Sequence, residues 1–370
     1  MTRIILLDID GVLVHPGGYR AALRATVQHL LGPHVEVQED ALTDLEKRGI
    51  ASEWDMTPLI IASYWTDILS RQPMQNLPDD ISAAAHEIQH RLKAIAPIDV
   101  SIPEFNLVHG QYPAETAFQA GCFASIPPGL RRNLLTATRD VHASHTMRIF
   151  QHFTLGSKNF TGTYGLPAEI ETESFLSTHD RSNIDDEIRS KLRQPNQHVA
   201  AFTARPSGPP CGVAGPLLGY APEAELALEL AGLQDIPLIA FGKLEYLASQ
   251  YKLDPATLVK PSPLQALAAT LAAWTGEEWS SLQAAYHWRE MDNLNGGFSQ
   301  LPKEFELIVV EDTMGGIRSV RAAGEILQRA GFAVTVRTIG LTSGSLAKAS
   351  AFEHGHVQYF ENWNDLIFEL

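Results

Sequence analysis

Only two cysteines, Cys122 and Cys211, occur in 370 residues. That is too few for a disulfide framework, and they do not stand at the short spacing of a metal-ligand pair, so an apolar core must hold the fold and a reducing compartment suits the chain. No run approaches the roughly 20 uninterrupted apolar residues of a membrane-crossing helix. The short apolar stretch after Met-Thr-Arg ends in carboxylates, unlike an export signal. The expectation is a cytoplasmic protein without a membrane anchor. Basic residues are the minority, Lys+Arg 28 against Asp+Glu 43, giving a net charge of -15. Such a surface repels a phosphate backbone and disfavours nucleic-acid and anionic-membrane partners. Internal repeats and low-complexity tracts are lacking as well. What the chain does have is 45% hydrophobic residues, enough to bury cores in two domains.

Arg3 to Leu7 reads RIILL, an apolar β-branched run without alternation, as expected of a strand buried on both faces of a parallel sheet. His198 to Phe202 repeats the pattern, followed by a Gly/Pro-rich turn and a helix over Pro222 to Leu233. Pro237 to Phe241 then reads as a strand, Lys243 to Tyr251 as a helix, Ala256 to Val259 as a short strand or loop, and Pro263 to Trp274 as a helix. Phe305 to Val310 is another strand, Met314 to Ala330 a helix and Ala333 to Ile339 a strand. This alternation predicts an α/β fold, a Rossmann-like doubly wound parallel sheet with helices on both faces.

Between the first two strands the composition shifts toward Ala, Leu, Gln and His at helical spacing. Helices are predicted over Tyr19 to Leu31, Glu39 to Arg48, Thr57 to Arg71, Ile81 to Ala94 and Pro128 to Phe153, the last with a break. The expected division is a sheet domain built from 1–15 and 196–370, with 16–195 as a large, mainly helical insertion. The stretches 96–127 and 276–297 receive no assignment.

Four segments carry chemistry. Asp8-Ile9-Asp10-Gly11 places two carboxylates beyond a buried strand, with a glycine that lets the chain turn close to a ligand. Ligands of open parallel sheets bind at that carboxyl edge. Thr203-Ala204 ends a second buried strand in a hydroxyl. Lys260 is framed by prolines before a helix, and Glu311-Asp312 ends a third apolar strand in paired acids. Taken singly, Thr203 reads more readily as a turn cap and Lys260 as a solvated lysine, while Glu311-Asp312 can be a helix N-cap, a role compatible with metal binding; their order on successive strand ends favours a shared site.

In that order the segments resemble the signature motifs of the haloacid dehalogenase superfamily, in its phosphatase and phosphomutase branch with a large inserted cap. The resemblance covers the sheet domain. It implies aspartyl-phosphate chemistry with magnesium, Asp8 as nucleophile and Asp10 as general acid and base. Thr203 and Lys260 would hold the phosphate, with Gly11 and Ala204 beside them. Asp8, the Asp10 carbonyl, Asp312 and Glu311 would serve the metal. A carboxylate can approach a phosphate dianion only if charge is neutralised, which a magnesium ion with few carboxylate ligands and Lys260 would do. Lys243 is a rival to Lys260 but lacks the proline frame.

The resemblance also implies that the insertion closes over the site, favouring a small phosphorylated metabolite as substrate. Lys47 to Asp55 falls where the family carries a specificity loop, so Arg48 is a candidate for a substrate anion, against the plainer reading of a helix end with Gly49 as its C-cap. Phe150 to Leu166 reads as a second loop near the substrate, against an ordinary core segment. The leading expectation is a phosphatase. The alternatives are a phosphosugar mutase on the same core, a non-catalytic binding protein, and a zinc peptidase using His86-Glu87-x-x-His90 with Glu104, His109 or Glu115 as third ligand.

Overall fold

A computed structural model of the chain describes residues 2–92, 101–213, 218–294 and 296–366. It divides into two compact units, one formed by Met1–Pro16 with Asp180–Leu370 and the other by Gly17–His179. The helical unit thus ends earlier than the Pro195 expected from composition, and the residues that follow it form a short strand and a helix within the sheet unit.

The sheet unit is α/β. Its strands are β1 Arg3–Leu7, β2 Val14–His15, β3 Arg181–Ser182, β4 Gln197–Phe202, β5 Leu238–Ile239, β6 Glu304–Glu311, β7 Ala333–Leu341 and β8 Gln358–Phe360. Six of them make one sheet in the order β5-β4-β1-β6-β7-β8, and every pairing in it is parallel. β2 and β3 form a separate antiparallel pair. Strand β1 is central: Leu7 pairs with Ala201 of β4 on one side and Val310 of β6 on the other.

The unbroken apolar runs follow from the layers on either face. Side chains alternate across a strand. Ile4 and Leu6 of β1, Ala200 and Phe202 of β4, and Leu307 and Val309 of β6 therefore enter one core. Ile5 and Leu7, Val199 and Ala201, and Ile308 and Val310 enter the opposite one. Each fully buried aliphatic side chain contributes about 1.5–3 kcal/mol, so a polar residue on either face would be costly.

The first core is closed by the helices Pro263–Thr275, Glu278–Met291 and Met314–Arg329. The alanine-rich Pro263–Thr275 is buried along most of its length; proline at its first turn fits the helical φ, and the Ser262 hydroxyl accepts from Leu264 N–H (3.4 Å). The unassigned stretch 276–297 turns out to contain the Glu278–Met291 helix, which packs Leu282, Ala284 and Ala285 against this core. The second core is closed by Asp186–Leu192, Glu223–Ala231 and the short helix Trp363–Leu366.

Of the strand and loop readings for Ala256 to Val259, the loop holds: Ala256 and Thr257 lie in a 3-10 turn, Pro255–Thr257, capped by the Asp254 carboxylate, and no strand follows it there. Phe241 starts a helix rather than ending β5. Beyond β7 the chain adds the helix Leu346–His354 and edge strand β8.

The second unit is helical, with Gly18–Leu31, Glu39–Lys47, Glu53–Arg71, Ile81–Leu92, Pro113–Gln119, Pro128–Leu135, His145–Tyr164 and Phe175–His179 around their own core. The end of the helix predicted to reach Ala94 lies outside the described residues, as does part of the unassigned 96–127. The predicted helix over Pro128 to Phe153 is two helices, Pro128–Leu135 and His145–Tyr164. Phe150 to Leu166, read as a loop, lies largely within His145–Tyr164, interrupted at Gly156, whose φ of 76° is left-handed. A Cβ there would meet the Ser174 backbone N at 2.6 Å, so glycine is required both by conformation and by space.

His152 on that helix is wholly buried and stacked on Phe160, with ring centroids 3.6 Å apart. Its Nε2 accepts from Glu169 N–H (3.0 Å), so Nδ1–H donates to the Arg148 carbonyl (2.8 Å). The arrangement fits the neutral ring only. Burial pushes the pKa of His152 below its ordinary 6.5, as it does for His29 and His145 in the same unit. A folded-state pKa below the unfolded one means that the unfolded chain takes up more protons in that window. Stability is therefore complete above about pH 6.5 and falls as the pH drops toward the folded value. Calorimetric melting of the protein is expected to show the helical unit losing stability as the pH falls below about 6.5. His152→Gln should flatten that dependence, and an equal slope in both proteins would assign it elsewhere.

Candidate active site

Asp8, Thr203 and the pair Glu311-Asp312 stand at the carboxyl ends of β1, β4 and β6. Asp8 follows β1 directly, and its N–H donates to the Val310 carbonyl (3.1 Å). The chain then folds back on itself, with the N–H groups of Val12, Leu13 and Val14 converging on the Ile9 carbonyl. Gly11 makes this turn with φ of 73°. A Cβ at Gly11 would overlap the Asp312 carboxylate, so glycine brings the first turn against the end of β6.

Lys260 joins the two acidic segments. Its Nζ donates to Asp8 Oδ1 (2.8 Å) and Glu311 Oε1 (2.6 Å) and lies 4.5 Å from the centre of the Phe202 ring. Burial disfavours the ammonium, but the two carboxylates outweigh it and hold its pKa above that of an ordinary lysine. The backbone N–H of Lys260 donates to Gln265 Oε1 (2.9 Å). The amide nitrogen of Gln265 in turn donates to the carbonyls of Thr203 and Ile239, both at 2.9 Å. A single buried glutamine thus ties Lys260 to the ends of β4 and β5.

The other oxygen of Glu311 accepts from Thr313 N–H (2.6 Å) and Thr313 Oγ1 (3.0 Å), so Glu311 ties Lys260 to the residue that precedes the next helix. Asp312 accepts from Lys348 Nζ at 2.5 Å, a contact from the Leu346–His354 helix that sequence reading missed. Among the described residues, Asp8, Glu311 and Asp312 form the one acidic cluster that could hold a cation, with one carboxylate oxygen from each lying within 4.8 Å of the others. Burial pushes Asp8 up to about 7, opposed by Lys260 and reinforced by Glu311 and Asp10. Asp312 rises to about 6, again through burial first and the Asp8 charge second, with Lys348 opposing. Two lysines do not fully offset these carboxylates, and hard oxygen donors at this spacing suit a small divalent cation.

Asp10 lies two residues beyond Asp8, with its side chain 35% exposed. Arg205, two residues past Thr203, forks onto it through Nε (2.9 Å) and Nη2 (2.5 Å). The same Nη2 donates to Asp180 at 2.9 Å. Thr203 is buried at the end of β4, and its hydroxyl accepts from Arg205 N–H (3.2 Å). Ala204 is exposed beside it. Neither Arg205 nor Asp180 was apparent from sequence: their partners are remote in the chain, and an Arg before a Pro carries no pattern of its own.

The remaining candidates are used elsewhere. Lys243 is buried with Glu278 (3.1 Å) and Glu225 (3.4 Å), so Lys260 is the lysine that meets Asp8. Arg48 lies in the helical unit, where its guanidinium donates to the carbonyls of Ile102 (3.1 Å) and Pro103 (2.7 Å) and covers Phe105. Gly49 follows with φ of 83°, as the helix-end reading expected, and Lys47 pairs with Asp44 in solvent. His86, Glu87 and His90 are exposed on Ile81–Leu92. No third ligand joins them among the described residues, since Glu104, His109 and Glu115 do not converge on them. Clefts of about 290 Å³ beside His86 and about 410 Å³ beside Arg48 lie in the helical unit and contain none of the acidic cluster.

No helix among the described residues is long and apolar enough to cross a membrane. Cys122 and Cys211 are both free thiols. The chain matches no family model, no curated protein and no solved structure.

Proposed function

We propose that the chain is a phosphohydrolase of the haloacid dehalogenase type, acting with a magnesium ion on a small phosphorylated metabolite. The observation that carries this reading is the convergence of Asp8, Glu311 and Asp312 within 4.8 Å, with Lys260 bridging Asp8 and Glu311. Three carboxylates this close and this buried are costly for the fold, and anion transfer gives them a use. The ion, held by Asp8 and Asp312, would neutralise charge on the phosphoryl oxygens.

In this reading an Asp8 carboxylate oxygen attacks phosphorus, the ester P–O bond breaks, and the departing alkoxide takes its proton from Asp10. Asp10, now a carboxylate, removes a proton from water. The resulting hydroxide attacks the aspartyl-phosphate, releasing phosphate and restoring Asp8. Lys260 and the Thr203 turn stabilise the equatorial oxygens throughout. Asp8 must act as the anion, so its raised pKa predicts that unassisted protein is partly neutral near pH 7.

The test is a screen of small phosphate monoesters, hexose phosphates included, for release of free phosphate. Turnover is expected with added magnesium and is expected to vanish with EDTA and return on re-addition. Isomerised sugar without phosphate release would transfer the reading to the mutase. Turnover unaffected by EDTA would remove the metal from it.

A further inference from the structure

We propose that Arg205, locked in place by Asp180, is a positioning residue that aims the carboxylate of Asp10; the inference rests on the reading of Asp10 as general acid and base. The Arg205 side chain is 2% exposed and that of Asp180 wholly buried. A buried guanidinium needs a counter-charge, and Asp180 supplies one at 2.9 Å. Neutralisation is therefore met without Asp10. The fork of Nε and Nη2 onto both Asp10 oxygens adds something different, since two parallel hydrogen bonds from a rigid plane fix a carboxylate in direction as well as distance.

The arginine itself is pinned at both ends. Its N–H donates to the Thr203 hydroxyl and its carbonyl accepts from Phe241 N–H (3.0 Å), while Asp180 immobilises the guanidinium. Asp10 is thereby referenced to the same strand end as Thr203. A carboxylate at a turn, partly in solvent, would otherwise sample several rotamers. Proton delivery to a leaving oxygen tolerates little misplacement, and about 1 Å costs about 10²-fold. Both Asp10 oxygens accept in this arrangement, which is that of the carboxylate; with the proton on one oxygen, the other would keep its bond to the guanidinium and with it the direction of the group.

The leaving group reports on this role. p-Nitrophenyl phosphate departs as a stable phenolate and needs little protonation, whereas β-glycerophosphate leaves as an alkoxide that needs the acid. With magnesium-loaded protein, the isosteric Asp180→Asn is expected to lower kcat on β-glycerophosphate by about 10-fold to 10²-fold and on p-nitrophenyl phosphate far less. Arg205→Lys, which retains the charge but not the fork, should show the same selective loss. Equal losses on both esters, or none on either, overturn the inference. Should Arg205→Lys fail to fold, Asp180→Asn decides, with its melting curve compared against the parent. If the parent protein turns over neither ester nor any other monoester, the phosphohydrolase reading fails first, and this inference falls with it.

Discussion

Asp8→Asn is expected to reduce phosphate release by at least about 10⁴-fold while leaving the fold intact. The loss is large because no neighbour can replace the attacking oxygen: Glu311 is committed to Lys260 and Thr313, and Asp312 to Lys348. Nucleophiles that act as part of a concerted unit show losses of this order when removed alone. The fold should survive because folding penalises the Asp8 carboxylate, as its pKa near 7 records, and a neutral amide of the same size removes that penalty. The substitution is thus expected to hold or raise the melting temperature at pH 8 while abolishing turnover. Retained turnover would dismiss Asp8 as nucleophile. A collapsed near-ultraviolet circular dichroism spectrum would show that the carboxylate is structural.

Lys260→Met carries the largest expected effect on stability. Methionine matches the length of the lysine stem but leaves the Asp8 and Glu311 carboxylates facing each other without the ammonium between them. Removing one partner of a buried ion pair costs about 3–5 kcal/mol, and both carboxylates are almost wholly buried. Urea denaturation should register a loss in that range. Adding Glu311→Gln should recover part of it, because one of the two stranded charges is gone, yet neither variant should release phosphate. Additive losses in the double variant would contradict the coupling, and an unchanged midpoint for Lys260→Met would mean that the ammonium contributes nothing to holding the site.

The central part of this design was readable from sequence because burial leaves an unambiguous imprint. β1, β4 and β6 are apolar on both faces, and each announces its end by an abrupt switch to Asp8, Thr203 or Glu311. The glycine after Asp10 and the prolines around Lys260 mark turns by their backbone chemistry. The site's supporting residues were not readable, because their partners are defined only in three dimensions. Arg205 needs Asp10 and Asp180, Gln265 needs Thr203 and Lys260, and Lys348 needs Asp312.

Periodicity also misled where two signals competed. Glycine and aromatic residues over 150–166 suggested a loop, but the chain stays helical except at Gly156, where the backbone of Ser174 comes close. The helix Glu278–Met291 mixes charged, aromatic and small residues so evenly that its buried side is visible only once Pro263–Thr275 lies against it. The end of the helical unit at His179 leaves no compositional mark, since residues 186–192 are as helical as those before them.

The position of β1 bears on how the molecule is made. It lies between β4 and β6, so during synthesis this strand has neither neighbour until residues 197–202 and then 304–311 have been made. Contacts this distant along the chain form slowly. The Gly17–His179 unit, which has its own core, can meanwhile condense by itself. During that interval the RIILL segment is an unpaired, apolar β-former, the kind of sequence that associates with other chains when left exposed. Chaperone demand and misassembly during translation should therefore concentrate on the strand that ends in Asp8.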